Sequence, residues 1–139
     1  MTQMTTARPV VAGPARAWRT RAARYALTGS HCRQCQAYAF PPARRCLQCD
    51  GTPEPHAFSG QGRIVCLAED HSPLAGHGGR SRRPFAMIAL KEGPVLMAEI
   101  VDAEYEELSP DQPVEMVVRK WRPEQSGLPL YGFKFKVAS

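Results

Sequence analysis

The sequence predicts a mainly β protein, in which an N-terminal helix and a four-cysteine ribbon precede a five-stranded barrel. Three observations support this fold class: one stretch with helical periodicity, two Cys-x-x-Cys pairs separated by 10 residues, and five short apolar runs after them. The 139 residues suffice for one compact unit or two small ones. We expect a flexible tail at 1–13, the helix at 14–29, the ribbon at 30–52 and the barrel domain at 53–139.

The N-terminal helix is predicted from a proline at its start and an apolar face along its length. Pro14 suits the first turn of a helix, and Gly29 is a typical stop. A helix this short is marginal by itself. We therefore expect the apolar face to pack, either on this chain or on another. That face carries Trp18, Ala22, Tyr25 and Ala26.

The two Cys-x-x-Cys pairs are the strongest chemical signal in the chain. Cys32 and Cys35 form the first pair, and Cys46 and Cys49 form the second. Each pair can make a tight turn, here called a knuckle, and two facing knuckles place four thiolates around one tetrahedral ion. We expect structural zinc (Zn²⁺), with a rubredoxin-type iron as the alternative because the same four sulfurs bind either metal. Four thiolates leave no open position for a catalytic water.

Two further residues near these pairs need an interpretation. His31 adjoins Cys32 and could replace a cysteine as ligand, but we favour an exposed or neighbouring histidine because four thiolates already suffice. Cys66 is the fifth cysteine of the chain and lies in an apolar, strand-like run. We expect its thiol to be a small buried side chain rather than a reactive one.

Cysteine usage and the N-terminal sequence indicate a reduced, cytoplasmic location. The first residues lack the apolar core of a secretory signal, which agrees with Cys-x-x-Cys pairs that bind metal rather than form disulfides. Because these residues are rich in arginine and free of acids, a transit peptide is the alternative. No run approaches the roughly 18 consecutive apolar residues of a membrane span, so we expect no membrane partner.

After the ribbon, short apolar runs alternate with turn residues. The segment 52–55 is expected to be a stiff linker, 70–83 a mobile loop, and 102–108 an acidic helical turn. Five short strands with a connector after the third fit a small closed barrel, for which the OB-fold is the natural candidate. The strands are predicted within 57–69 and at 85–90, 95–101, 114–121 and 130–137.

Charge divides the chain into two unlike parts. Residues 1–50 carry eight arginines and one acid, a net charge of +7, whereas residues 51–139 carry 10 basic and 12 acidic residues, a net charge of −2. A basic N-terminal part on a near-neutral body suits RNA, an anionic cofactor or an acidic partner protein. The basic part includes four arginines of the predicted helix: Arg16, Arg19, Arg21 and Arg24.

Taken in this order, the segments resemble the DUF35 family, whose members combine a rubredoxin-like zinc ribbon with an OB-fold. The resemblance covers roughly residues 14–137. Its most specific parts are the two knuckles, the Phe-Pro-Pro between them and the Ser-Gly-x-Gly block after them. The matching stretches are Trp18, the two cysteine pairs, 40–42, 58–64, 84–90, Gly93, 113–115 and 131–135.

The resemblance implies an accessory role. Family members typically serve as small subunits of thiolases and thiolase-like acyltransferases, so it implies a hetero-oligomer with a thiolase-like catalytic subunit. Catalysis would belong to that partner, and this chain, without catalytic residues of its own, would bridge subunits and help to enclose an acyl-coenzyme A thioester at the interface. The chain departs from the family at the knuckles: Gln36 and Asp50 stand where glycine often follows, and Leu47 where proline often lies.

The predicted loop contains three arginines: Arg80, Arg82 and Arg83. They could contact the phosphates of coenzyme A, because guanidinium groups match phosphate oxygens. The alternative is a solvated basic loop. His71 and His77 of the same loop are expected to be solvated polar groups, since nothing around them resembles a catalytic triad. We expect the same of Asp102, Glu104, Glu106 and Glu107.

Single-stranded nucleic-acid binding is the alternative function for an OB barrel. Tyr131, Phe133 and Phe135 alternate along the last predicted strand, as a stacking platform would. The net acidic charge of the part that forms the barrel opposes a phosphate backbone. Since aromatic residues make up only 8% of the chain, we expect these rings mainly to fill the barrel. We therefore expect no nucleic-acid partner.

Overall fold

A pair of short helices and two β-sheets make up the fold in the computed structural model, which describes residues 14–71, 82–122 and 130–139. The predicted mainly β class, with helix, ribbon and barrel in that order, is confirmed. The predicted tail at 1–13 lies outside the described residues, as do His77 and Arg80. The elements are α1 (Pro14–Arg19), α2 (Arg21–Ala26), β1 (Thr28–His31), β2 (Tyr38–Ala39), β3 (Glu54–Ala57), β4 (Gln61–Asp70), β5 (Arg83–Leu90), β6 (Val95–Glu99), a 3-10 turn (Tyr105–Glu107), β7 (Pro113–Arg122) and β8 (Leu130–Val137).

The predicted helix is interrupted at Thr20, so that α1 and α2 each contain 6 residues. α2 ends at Leu27, whose φ of 46° is left-handed, and not at Gly29 as predicted. Gly29 lies in β1, where an added Cβ would stand 2.3 Å from the carbonyl oxygen of Ala39. Close approach of the ribbon backbone, rather than a helix stop, therefore requires glycine there. Among the described residues, no helix has the length and apolarity needed to cross a bilayer.

Arg24 attaches α2 to the barrel, although the sequence grouped it with the other arginines of the basic N-terminal part. The side chain is buried, and its Nη1 donates to the carbonyl oxygen of Tyr131 in β8 over 2.7 Å. Leu27, which follows α2, is fully buried in the barrel core. The helix pair is therefore held through α2, whereas α1 has no buried residue.

The ribbon contains a three-stranded antiparallel sheet in the order β2-β1-β3. His31 of β1 pairs with Tyr38 of β2 and with Glu54 of β3. The predicted linker at 52–55 is therefore wrong for its second half, because Glu54 and Pro55 already belong to β3. Pro55 is compatible with this strand because β3 lies at an edge of the sheet. The division into domains at residues 30 and 53 stays a prediction.

The five predicted strands of the barrel form one antiparallel sheet in the order β6-β5-β4-β7-β8. The two edges of the sheet meet where Ile100, just after β6, bridges Phe135 of β8, so the barrel is nearly closed. The N–H of Val101 also donates to the carbonyl oxygen of Phe135 over 2.8 Å. The largest fully buried side chains include Leu27, Ile64, Ile88, Ile100, Val114 and Phe135.

Cys66 is exposed, so the prediction of a buried thiol is wrong. The cause is a bulge in β4, where the register with β5 shifts between Ile64 and Cys66. Regular alternation would put Cys66 on the same inward face as Ile64. The extra residue, Val65, leaves two consecutive side chains exposed and turns Leu67 inward instead.

A series of aromatic contacts joins the ribbon to the barrel. The rings of His31 and Tyr38 stack at 4.4 Å, and Tyr38 lies 6.0 Å from Phe58. Phe40 then lies 6.3 Å from Phe58 and 5.6 Å from Phe133 of β8. Aromatic pairs at these distances contribute about 0.5–1.5 kcal/mol each beyond the area they bury. The ribbon is thus packed against the barrel by side chains as well as connected to it by β3.

Candidate metal centre

The four cysteines predicted to bind a metal lie together beside the end of β1. All four Sγ atoms are within 4.8 Å of one another. Two close pairs cross between the knuckles: Cys32 to Cys49 and Cys35 to Cys46, at 3.4 Å in each case. Metal–sulfur bonds of about 2.3 Å in a tetrahedron require sulfurs about 3.8 Å apart. The four thiols are therefore positioned to bind one metal ion.

Backbone N–H groups favour the thiolate form of the first cysteine in each knuckle. The N–H of Cys49, followed by that of Gln48, lowers the pKa of Cys46 to about 6. The N–H of Cys35 is likewise the main cause that lowers the pKa of Cys32. Because metal ligands must be thiolates, these donors prepare the two sulfurs for a cation.

The pKa of the second cysteine of each knuckle is raised. The N–H of Ala37 favours the Cys35 thiolate, but contact with Cys46 and burial outweigh it and raise the pKa of Cys35 to about 12. The N–H of Gly51 acts in the same way on Cys49, whose pKa is raised nevertheless by contact with Cys32 and by burial. Sulfur–sulfur contact thus favours the protonated thiol at these two positions, and a bound cation would favour the thiolate instead.

The same backbone hydrogen bond closes both knuckles. The N–H of Cys32 donates to the carbonyl oxygen of Ala37 over 2.8 Å, and the N–H of Cys46 donates to that of Gly51 over 2.9 Å. Acceptor and donor are five residues apart in both cases. Local backbone geometry thus builds each half of the site, which is why spacing alone was enough to find it.

His31 lies beside the sulfur cluster and is not part of it. Its ring stacks on Tyr38, and its Nε2 lies 3.1 Å from Oε1 of Gln36. The structure thus places it as a neighbouring histidine, the interpretation that the sequence favoured. His56 of β3 also belongs to this aromatic group, with its ring 5.0 Å from that of Tyr38.

The structure separates the arginines that were grouped at the predicted phosphate-binding loop. Arg83 is the first residue of β5, and its guanidinium contacts the carboxylates of Asp70 and Glu99. It is largely buried in these contacts and so does not belong to a free basic loop. Arg82 is exposed and lies 3.6 Å from Glu69, a carboxylate with which an added phosphate would compete.

A buried ion pair that the sequence did not indicate joins the two edges of the barrel. Nζ of Lys134 in β8 lies 2.8 Å from a carboxylate oxygen of Glu99 in β6. Lys134 alternates with Phe133 and Phe135, which by itself would place it on a solvated face, yet only 7% of it is exposed. The pair adjoins the bridge between Ile100 and Phe135, so it lies where the barrel closes.

The aromatic residues of β8 do not form an open stacking platform. Phe135 is fully buried, and Phe133 is half-buried with its ring 5.6 Å from that of Trp121. Tyr131 remains exposed. Phe135 lies in the barrel core and Phe133 packs against it, as expected, and their burial in full and in part opposes the nucleic-acid alternative.

Comparison with known families and structures agrees with this fold. Residues 56–119 match the family model described as the C-terminal OB-fold domain of ChsH2. A solved structure, the "Ltp2-ChsH2(DUF35) aldolase", shares the fold, with a TM-score of 0.71 and 22% identity, over 95% of this chain and 100% of that one. The predicted OB-fold is confirmed.

Two known relatives match along most of their length. A DUF35 domain-containing scaffold protein from Pyrococcus furiosus is 36% identical over 123 residues, which is 87% of this chain and 90% of the relative. A protein of the same description from Methanothermobacter thermautotrophicus is 38% identical over 124 residues, which is 87% of this chain and 93% of the relative. This identity over nearly the whole of both relatives shows that the chain belongs to the DUF35 family.

Proposed function

We propose that this chain is a non-catalytic accessory subunit, a scaffold in a thiolase-superfamily acyl-coenzyme A enzyme that is either a thiolase or an acyltransferase. The observation that carries the proposal is the sequence identity of 36% and 38%, over 87% of the chain, with two relatives described as scaffold proteins. The solved structure of similar fold carries the name "Ltp2-ChsH2(DUF35) aldolase". A name with two components supports a hetero-oligomer with a catalytic partner.

The ribbon suits a structural zinc ion in this role. Four thiolates complete a tetrahedron and leave no position for water or substrate, so the ion would stabilise rather than react. The three short strands of the ribbon bury few apolar side chains, and zinc binding to such units contributes on the order of 10 kcal/mol to folding. The proposed ligands are Cys32, Cys35, Cys46 and Cys49.

The catalytic partner would supply the reacting groups, while this chain bridges subunits and helps to enclose the channel of an acyl-coenzyme A thioester. The aromatic contacts between ribbon and barrel support this role, because a protein packed along its length can hold two surfaces in a fixed relation. The net charge of +5 also suits an anionic thioester near the interface.

Co-expression with a thiolase-like protein of the same organism tests the proposal. The tagged chain should retain that protein through affinity purification and size exclusion, and the complex should cleave acetoacetyl-coenzyme A when coenzyme A is added. The isolated chain should show no turnover in the same assay. A chain that stays monomeric and unattached, or one that turns over substrate by itself, would contradict the proposal.

Two cysteine variants provide a matched control. The double variant Cys32→Ser/Cys46→Ser removes one metal ligand from each knuckle, whereas Cys66→Ser removes an exposed thiol of the barrel. The ribbon variant should lose both the metal and the partner. The Cys66→Ser variant should keep both, because its thiol lies outside the ribbon.

A further inference from the structure

An aromatic, arginine-rich face of α1 and α2 is left uncovered by the part of the chain that the structure describes. Trp18 is 67% exposed and Tyr25 is 43% exposed. The sequence predicted that this face packs on this chain or on another, and the first possibility is not met within the described residues. We propose that this helical face docks on an acidic surface of the catalytic subunit, an inference that rests on the proposed function.

Arginine side chains hold both rings in place. Cζ of Arg21 lies 3.6 Å from the centroid of the Trp18 ring, and Cζ of Arg24 lies 5.3 Å from that of Tyr25. Such cation–π contacts restrict the rings before any partner binds, so less side-chain entropy is lost on docking. Tryptophan, tyrosine and arginine are also the residue types that carry most of the binding energy at protein interfaces.

The charge of the helical face determines which partner it fits. The segment 14–26 contains four arginines and no acidic residue. Every ion pair found in the described part of the chain involves other groups, so Arg16, Arg19 and Arg21 have no carboxylate within 4.0 Å there. A partner surface that presents carboxylates around an apolar pocket would complement both the charges and the indole.

The geometry favours a protein partner over a nucleic acid. Arg21 already covers one face of the Trp18 ring, which leaves its edge and opposite face to enter a pocket. Binding of a single strand uses successive rings on which bases stack, but in the barrel Phe135 is fully buried and Phe133 is half-buried, which leaves Tyr131 as the exposed ring of β8. In addition, α1 has no buried residue of its own, so a partner that covers it would stabilise an otherwise marginal helix.

Affinity of the catalytic subunit for variants of this chain tests the inference. Trp18→Ala should raise the Kd by about 30-fold or more, the loss of affinity typical of an anchor residue. Arg21→Glu should raise the Kd by about 10-fold at low salt and by less at high salt. Met97→Ser is the matched control, because Met97 is also 67% exposed but lies on β6 of the barrel. Its Kd should stay within about twofold of the wild type.

Each outcome of this experiment decides the inference. If the wild-type chain binds and both helix variants bind with the same Kd as the wild type, the helical face is not the docking surface, and the scaffold proposal stands. If the wild-type chain does not bind, the proposed function fails and the inference fails with it. A loss with Met97→Ser but not with Trp18→Ala would move the interface to the barrel. A labelled single strand that binds the wild type but not Trp18→Ala would assign the face to nucleic acid and overturn the inference.

Discussion

Gln36 and Asp50 occupy the same position in the two knuckles, and both have the left-handed backbone that glycine adopts most easily. Each follows the second cysteine of its knuckle, with φ of 61° and 58°. The family resemblance leads one to expect glycine at both positions. The departure is tolerated because each side chain bonds locally: Gln36 donates to the carbonyl oxygen of Arg33 over 2.8 Å, and Asp50 accepts from Arg45 over 3.2 Å.

A valine at either position should destabilise the ribbon relative to glycine by about 1–2 kcal/mol, since a β-branched residue fits the left-handed region poorly. The glycine variants of Gln36 and Asp50 should match or exceed the wild type. The measurement is the chelator concentration that removes half of the bound metal. Equal resistance of the valine and glycine variants would show that the knuckles do not need this backbone conformation.

The purified chain should contain about one zinc ion, held by the four clustered cysteines. Cys32→Ser or Cys46→Ser should release it and expose the amides of the ribbon to hydrogen exchange. Amides of β4 to β8 should stay protected, because the barrel has its own apolar core. Metal analysis and exchange together check this prediction. Iron in place of zinc would establish the rubredoxin-type alternative, and a folded, metal-free chain would contradict both.

Thiol reactivity should separate Cys66 from the other four cysteines. A disulfide reagent should modify one thiol rapidly in the metal-bound protein, because Cys66 is exposed and the ribbon sulfurs are occupied. After chelation, all five cysteines should react. Cys66→Ser should abolish the rapid phase and change the free energy of unfolding by less than about 0.5 kcal/mol, as is usual for surface positions. Rapid reaction of several thiols in the metal-bound protein would contradict the proposed metal centre.

Features that depend on neighbouring residues could be predicted from the sequence, and they include the whole sulfur cluster. The backbone of a Cys-x-x-Cys turn fixes the donors around each sulfur, so spacing alone identified Cys32, Cys35, Cys46 and Cys49. Alternation also identified β8 with its bounds at Leu130 and Val137. Both signals lie within a few residues of the feature that they predict.

Features that depend on pairing between distant strands could not be predicted in this way. The bulge beside Cys66 exists only in the register of β4 with β5, and it reverses the face on which the thiol lies. Lys134 reads as a solvated lysine until β8 meets β6, where its partner Glu99 comes from another part of the chain. Burial of Arg24 likewise depends on a carbonyl group 107 residues away.

Acid should weaken the contact between Glu92, in the turn that joins β5 to β6, and Ser59, which lies just before β4. Partial burial raises the pKa of Glu92, but hydrogen bonds from Ser59, including an N–H donor at 2.7 Å, outweigh it, so the pKa is lowered from 4.5. A lowered folded pKa stabilises the protein above the unfolded pKa, and this stabilisation is lost as pH falls through the folded value. Glu92→Gln should therefore lower the urea midpoint at pH 7 and change it less as the pH is lowered below about 4. Glu106→Gln is the control, and an equal effect of both variants at all pH values would contradict the prediction.

Two lysines of β8 should differ sharply in their contribution to stability, although each pairs with a glutamate. Lys134 lies 2.8 Å from Glu99 in a buried pair, and Lys136 lies 3.0 Å from Glu115 in a pair that water reaches. Lys134→Met should lower the free energy of unfolding by about 3 kcal/mol, because among the described residues it leaves the Glu99 carboxylate with the more distant Arg83, at 4.0 Å, as its ion-pair partner. Lys136→Met should lower the free energy of unfolding by at most about 1 kcal/mol.

Urea unfolding of both variants, and of Lys134→Met combined with Glu99→Leu, measures the difference. The double variant should recover part of the loss because no unpaired charge remains, and equal costs for the two single variants would show that closure of the barrel does not depend on the buried pair.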